Sequence, residues 1–273
     1  MAGMSEPPVA TSYDGFTPIG PRRAFEGAVE QIADRIRVGD LGKGDRLPSE
    51  RDLAGQMRIS RPTLREAVRV LTKAGVVEVR PGPAGGIFVL TDYVPIEFIR
   101  AEQNIRLAEM GADLEARRVL EPSVAKFAAR TAIDWDFDRM QETIHAEEAL
   151  LLKGGALERE DRLLQLDTQF HLRMAHATGN ASIVTLMRGL LKRLGIGQDL
   201  ALRMPAAAEW TIEAHKRTLA AIRARDDSLI DAVVDESLRK MEDAWEEATA
   251  RKLRRPMGPL EQARTLDITG TES

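Results

Sequence analysis

Two groups of residues in this chain have types and spacings that could do chemistry. Asp167 and His171 stand four apart in RLLQLDTQFHLRMAHATGN, so on a helix their side chains leave one face about one turn apart. A carboxylate and an imidazole at that spacing can share one metal ion, and they can equally share a hydrogen bond. His215 lies on another predicted helix, in EWTIEAHKRTLAAIRARDD, among apolar neighbours. The second group is basic. Arg61, Arg65, Arg69 and Lys73 recur every four residues, which fits either a solvated helix face or a surface for nucleic acid. Position favours the latter, because this stripe begins at the N-terminus of the second helix of a tight pair. In a helix-turn-helix that end of the recognition helix reaches base edges in the major groove. Arginine suits the place, since its fork can grip guanine or clamp phosphate.

The elements that must position the basic group can be read in order. Ala24 to Val38 places Phe25, Ala28, Val29, Ile32 and Ile36 at helical spacing, and Gly39, Gly42 and Gly44 turn the chain. Ser49-Glu50-Arg51-Asp52 resembles a capping box, so Leu53, Ala54 and Met57 should face the core of a second helix. Ser60 is the next N-cap candidate, with Pro62 in the first turn. A third helix then runs from Arg61 to about Lys73 with Leu64, Ala67, Val68 and Leu71 buried, and Gly75 stops it. Val76–Arg80 and Ile87–Leu90 read as a hairpin around Gly82, Pro83, Gly85 and Gly86. Such a bare turn can approach a sugar-phosphate backbone closely.

Beyond a short linker at 91–95 the strand signal disappears. Amphipathic helices are predicted at about 96–110, 111–131, 135–153, 157–178, 181–203, 206–225 and 227–252. The expected fold is therefore mainly α: an N-terminal winged helix-turn-helix of three helices and a hairpin wing, then a C-terminal antiparallel bundle of six to seven helices. The expected organisation is a disordered leader at 1–21, a DNA-binding domain at 22–90, the linker at 91–95, an all-helical effector-binding and dimerisation domain at 96–252, and a disordered tail at 253–273.

Arg46-Leu47-Pro48-Ser49-Glu50-Arg51-Asp52-Leu53-Ala54, followed by Ile59-Ser60-Arg61-Pro62-Thr63-Leu64-Arg65-Glu66-Ala67, resembles the signature of the GntR superfamily of bacterial transcription regulators. The resemblance implies that Arg51, Arg61 and Arg65 contact DNA, with Ser60 and Thr63 at phosphates or base edges and Gly85 in a wing at the minor groove. Residues 96–252 are similar to the all-helical C-terminal domain of the FadR-type members. The matching pieces are Glu115-Ala116-Arg117-Arg118-Val119-Leu120-Glu121-Pro122, the Asp167–His171 pair closing on Gly179-Asn180, and His215 followed by Ala221-Ile222 and Asp226. In metal-binding members one Asp and three His hold a divalent cation such as zinc. Two of those histidines map onto His171 and His215, and the last position is Ser237. Asp167, His171 and His215 alone would leave an open position for water or a ligand carboxylate. Glu236 lies about 100° round the helix from that place and His176 is five residues from His171, so neither is a good substitute. By the same resemblance Arg117 points into the cavity and pairs with an acidic effector, for which its guanidinium fork is suited. A structural ion pair with Glu121, one turn on, is the alternative.

Composition bounds the function. The 273 residues carry a net charge of −4, yet residues 22–90 hold 13 Lys/Arg against 9 Asp/Glu and residues 91–273 hold 26 against 32. A basic front half on an acidic chain suggests nucleic-acid contact confined to one domain. No apolar run approaches the roughly 18 residues needed to span a bilayer. The N-terminus lacks the regions of a signal peptide, and the absence of Cys excludes thiolate chemistry, so a cytoplasmic protein is expected. The expected function is a dimeric repressor that binds a palindromic operator in double-stranded DNA, modulated by a small anionic metabolite, a carboxylate or acyl thioester. Two alternatives are a metal-dependent hydrolase using Asp167, His171 and His215, and a dimeric DNA-binding protein indifferent to effector.

Overall fold

The computed structural model describes residues 24–82, 85–95, 98, 110–152, 156–202, 206–249 and 252. The leader, the tail, Pro83, the predicted helix at about 96–110 apart from Phe98 and Met110, and the breaks at Gly154-Gly155 and Pro205 lie outside the described residues. The elements run α1 (Ala24–Arg37), α2 (Glu50–Met57), α3 (Arg61–Lys73), β1 (Val77–Arg80), β2 (Gly86–Val89), α4 (Met110–Thr131), α5 (Asp134–Leu151), α6 (Ala156–His176), α7 (Ala181–Leu202), α8 (Ala207–Ala224) and α9 (Asp227–Thr249).

The first three helices and the hairpin share one core. Ala28, Ile32 and Ile36 of α1 meet Leu64, Ala67 and Leu71 of α3, and Val77, Ile87 and Val89 close it from the hairpin. The local signals act as their chemistry requires. Ser49 Oγ accepts from the Asp52 amide at 3.2 Å and donates to Asp52 Oδ2 at 2.6 Å, which caps α2. Ser60 Oγ accepts from the Thr63 amide at 3.2 Å and caps α3. Gly75 adopts φ +71°, and Val76 N then donates back to the Leu71 carbonyl at 2.9 Å, so the helix ends there. β1 and β2 pair antiparallel with Val77 opposite Val89 and Arg80 opposite Gly86. A bridge between Arg46 and Phe88 adds one more rung at the edge of β2.

The second core is built by α4 to α9 around Phe170, Met174, Met187, Leu190 and Ile222. Turns such as 132–133 and 225–226 are two residues long, which forces consecutive helices to reverse. Helix α6 departs from the amphipathic expectation. From Leu163 to Ala175 it is buried nearly all round, broken only by half-buried Thr168 and Arg173. The cause is its place in the molecule, for it packs on α5 and α7 and also against the linker and the end of α1.

That second contact is polar. Arg37, the buried last residue of α1, donates to the Val94 carbonyl at 2.5 Å and to Asp161 Oδ1 at 2.6 Å. Gln169 Nε2 donates to the Arg37 carbonyl at 2.7 Å. Gln165 donates to the Asp92 carbonyl at 2.6 Å and accepts from Val94 N at 3.2 Å. Asp161, Gln165 and Gln169 thus line one face of α6 at helical spacing. Outside this cluster, Arg188 reaches Asp40 at 2.9 Å and Lys192 reaches Glu30 at 3.0 Å.

Candidate ligand site and nucleic-acid interface

Asp167 and His171 occupy the opposite face of α6, roughly 160° round from Gln165 and Gln169 at 100° per residue. Packing of α8 against α6 brings His215 to them. The three side chains are buried, and one ligand atom from each lies within 4.8 Å of the others. His171 Nε2 is 3.8 Å and His215 Nε2 is 3.5 Å from Asp167 Oδ1. The Phe170 ring stacks on His215 at 4.1 Å between centroids, which sets the plane of that imidazole.

Three further charged groups close the cluster. Glu147 of α5 faces His215 Nδ1 with both oxygens at 3.0 Å. Arg117 of α4 pairs through Nε with Glu121 and presents Nη2 to His171 Nε2 at 2.7 Å. Glu121 Oε1 lies 3.3 Å from His171 Nδ1. A guanidinium can only donate, so His171 Nε2 accepts and its proton resides on Nδ1, towards Glu121. Arg117 therefore makes the structural ion pair with Glu121, and its Nη2 faces His171.

The electrostatics follow from these contacts. Burial would lower the His215 pKa, but Glu147 and Asp167 on its two nitrogens outweigh that and push it up to about 10. His215 is an imidazolium in this arrangement. His171 goes the other way, held well below its usual value by burial and by the Arg117 charge. Burial would raise Asp167, yet the hydrogen bond from His215 and the charges of His215 and Arg117 hold it below the usual carboxylate range.

These residues fit a divalent cation. Tetrahedral zinc with bonds of about 2.0–2.1 Å sets its ligands about 3.3–3.4 Å apart, close to the 3.5 and 3.8 Å between Asp167 Oδ1 and the two histidine Nε2 atoms. His215 turns Nε2 inward and its Nδ1 is held by the buried Glu147 carboxylate, the arrangement that orients and strengthens an imidazole ligand. In the metal-free cluster the Arg117 guanidinium and the His215 proton supply the positive charge. Ser237, half-buried on α9, is outside the cluster of donor residues. One turn beyond it, Met241 Sδ contacts Arg117 Nη1 at 3.5 Å. Glu236 pairs with Arg217 and Lys240, while His145 and His176 are exposed; none joins the site.

Sequence reasoning singled out Asp167, His171, His215 and Arg117 but passed over Glu147. A signal for it existed. Glu147 falls on the inward stripe of α5 with Met140, Thr143 and Ile144, where a carboxylate needs a partner.

The basic face is built by α2 and α3. Arg51, Arg61 and Arg65 are exposed, at 85%, 56% and 61% of their side-chain surface. Arg51 lies 3.5 Å from the Asp52 carboxylate, and Arg61 and Arg65 both face Glu50. The hydroxyls of Ser60 and Thr63 share a 2.6 Å hydrogen bond at the exposed start of α3. In the wing, Gly85 N donates to the Gly82 carbonyl at 2.9 Å. A Cβ on Gly85 would sit 2.1 Å from the Arg80 carbonyl oxygen, so the turn admits only glycine there.

Two stretches of the chain match known families. Residues 25–89 match the family described as "Bacterial regulatory proteins, gntR family", and residues 113–240 match the "FCD domain". The "Exu regulon transcriptional regulator" of Escherichia coli K12 is 31% identical over 172 residues, 61% of each chain. The chain thus spans about three-fifths of that relative's length. The "Putative L-lactate dehydrogenase operon regulatory protein" of Escherichia coli K12 is 33% identical over 221 residues, 76% of this chain and 80% of that one. The "HTH-type transcriptional repressor NanR" of Klebsiella aerogenes is 26% identical over 239 residues, 84% and 87% of the two chains.

Proposed function

From the fact that this chain belongs to the gntR family of bacterial regulatory proteins, with an FCD domain behind its winged helix-turn-helix, we propose that it is a ligand-responsive repressor acting as a homodimer on a palindromic operator. Arg51, Arg61 and Arg65 supply the DNA contacts, with Ser60 and Thr63 at phosphates or base edges and Gly85 at the wing. In a dimer the two recognition helices address successive major-groove half-sites, so their relative placement decides affinity.

The effector is a small anion, a carboxylate or acyl thioester, and the observation that carries this is the buried Arg117 guanidinium facing the Asp167–His171–His215 cluster. A fork with two terminal nitrogens in a closed site matches a carboxylate. The operon in one relative's name encodes an L-lactate dehydrogenase, whose substrate belongs to that chemical class. Asp167, His171 and His215 would hold a divalent cation, which supplies an open coordination position for an effector oxygen. Glu147 orients His215, and Phe170 keeps that ring in plane.

Coupling to DNA runs through α6, which bears Asp167 and His171 on one face and grips the linker and α1 with the other. A ligand changes DNA affinity only by its differential affinity for two arrangements, and α6 touches both ends of that equilibrium. The test is operator binding by fluorescence anisotropy on promoter DNA from the gene's own neighbourhood, against a panel of small carboxylates with and without zinc. Release by one acid in the wild type, and none with Arg117→Met, is expected. An identical response in Arg117→Met removes the effector assignment and leaves a dimer indifferent to effector. The hydrolase alternative is disfavoured by the relatives, which are transcriptional regulators.

A further inference from the structure

A carboxylate stands between two of the arginines assigned to DNA. Glu50, the first residue of α2, accepts from Arg65 Nε at 2.8 Å through Oε2, and the same oxygen is 3.5 Å from Arg61 Nη2. Among the residues lining the groove of about 360 Å³ beside α3, which include Arg65, Arg69, Lys73 and Val79, it is the one acid. By charge alone such a residue opposes DNA binding, since it repels phosphate and offsets neighbouring cations. Its place in the first turn of α2 suits the helix dipole, but Asp52 serves that in the same turn. What Glu50 alone does is hold Arg65 by Nε.

We propose that Glu50 is a positioning residue that determines the specificity of DNA reading. This rests on the DNA-reading function proposed above. A bidentate grip on guanine uses two donors, on O6 and N7. With Nε anchored to Glu50, the two terminal nitrogens of Arg65 are left for a base, and Arg61 is drawn alongside. Unanchored, an exposed arginine spreads over many rotamers and meets phosphate as readily as base. The carboxylate also weakens the sequence-independent attraction to phosphate. Both effects raise the preference for the right sequence over any other.

The experiment uses the full chain. Selection from a random duplex pool gives the sequence the wild type prefers. Affinities for that duplex and a scrambled one of equal composition are then measured for wild type, Glu50→Gln and Glu50→Asp, with thermal melts alongside. Aspartate keeps the charge and the dipole contact but is one methylene short of Arg65. Both variants should lower the ratio of selected to scrambled affinity by about tenfold, the scale of one bidentate base contact. Gln should also tighten scrambled binding severalfold, whereas Asp should leave it unchanged. If Asp keeps the wild-type ratio within about twofold, whatever Gln does, Glu50 is only support for α2 and the proposal is overturned. If the wild type itself enriches no sequence, the DNA-reading function falls and this inference with it.

Discussion

At the scale of single residues, the candidate ligand site is a balance of buried charges that no member can leave without consequence. Glu147 is fully buried and binds His215 Nδ1 with both oxygens. Glu147→Ala strands an imidazolium in the core, and the loss of one partner of a buried pair is worth about 3–5 kcal/mol. Glu147→Gln keeps an acceptor and should lose less stability, but it weakens the orientation of His215. Zinc affinity, measured by competition with a chelating dye, should fall about 10–100-fold in that variant. Equal zinc affinity in wild type and variant would show that His215 is not a ligand. Ser237 offers the converse. It lies on α9 one turn before Met241, which touches Arg117. Ser237→His should add an imidazole at the border of the cluster and raise zinc affinity roughly tenfold or more. No gain would mean that α9 presents this position elsewhere.

At the scale of elements, much was legible because the decisive signals are local. Caps at Ser49 and Ser60, the stop at Gly75 and the apolar stripe of α3 are set by residues within one turn of each other. The Asp167–His171 pair was legible for the same reason. That His215 and Glu147 join it depends on α5, α6 and α8 packing together, and spacing within one helix carries no trace of that. The grip of α6 on the linker was equally hidden, since Gln165 and Gln169 look like ordinary solvated positions of an amphipathic helix. Their burial means that their amides must be satisfied, and the linker and α1 backbones do this. Arg37 completes the contact with Val94 and Asp161. Arg37→Met removes charged hydrogen bonds worth about 1.5–3 kcal/mol each and leaves the site residues in place. Calorimetry of the full chain should then show the winged unit melting ahead of the bundle, where the wild type melts as one. A single unshifted transition would show that this contact does not couple the two.

At the scale of the whole molecule, charge is segregated along the chain. Residues 22–90 carry four more basic than acidic groups and residues 91–273 six more acidic than basic, within a total of −4. A uniformly acidic chain would be repelled by DNA at every orientation. Segregation instead leaves one attractive face and an acidic remainder that disfavours wrong orientations. Arg51 on α2 and Arg61, Arg65, Arg69 and Lys73 on α3 are exposed, so each phosphate they neutralise releases condensed counterions. The logarithm of operator affinity should therefore fall linearly with the logarithm of salt concentration, with a slope near −0.9 per phosphate contacted. Arg51 is 85% exposed and only loosely paired with Asp52, and among the DNA contacts proposed above we assign it to phosphate. In the dimer proposed above, Arg51→Ala removes two such contacts. It should reduce the slope by about 2 while weakening selected and scrambled duplexes alike. Arg65→Ala should behave differently, with a cost of about 1–3 kcal/mol confined to one base position of each half-site. Titrations of both variants over a range of salt decide the matter, and identical salt slopes for wild type and Arg51→Ala would remove Arg51 from the phosphate face.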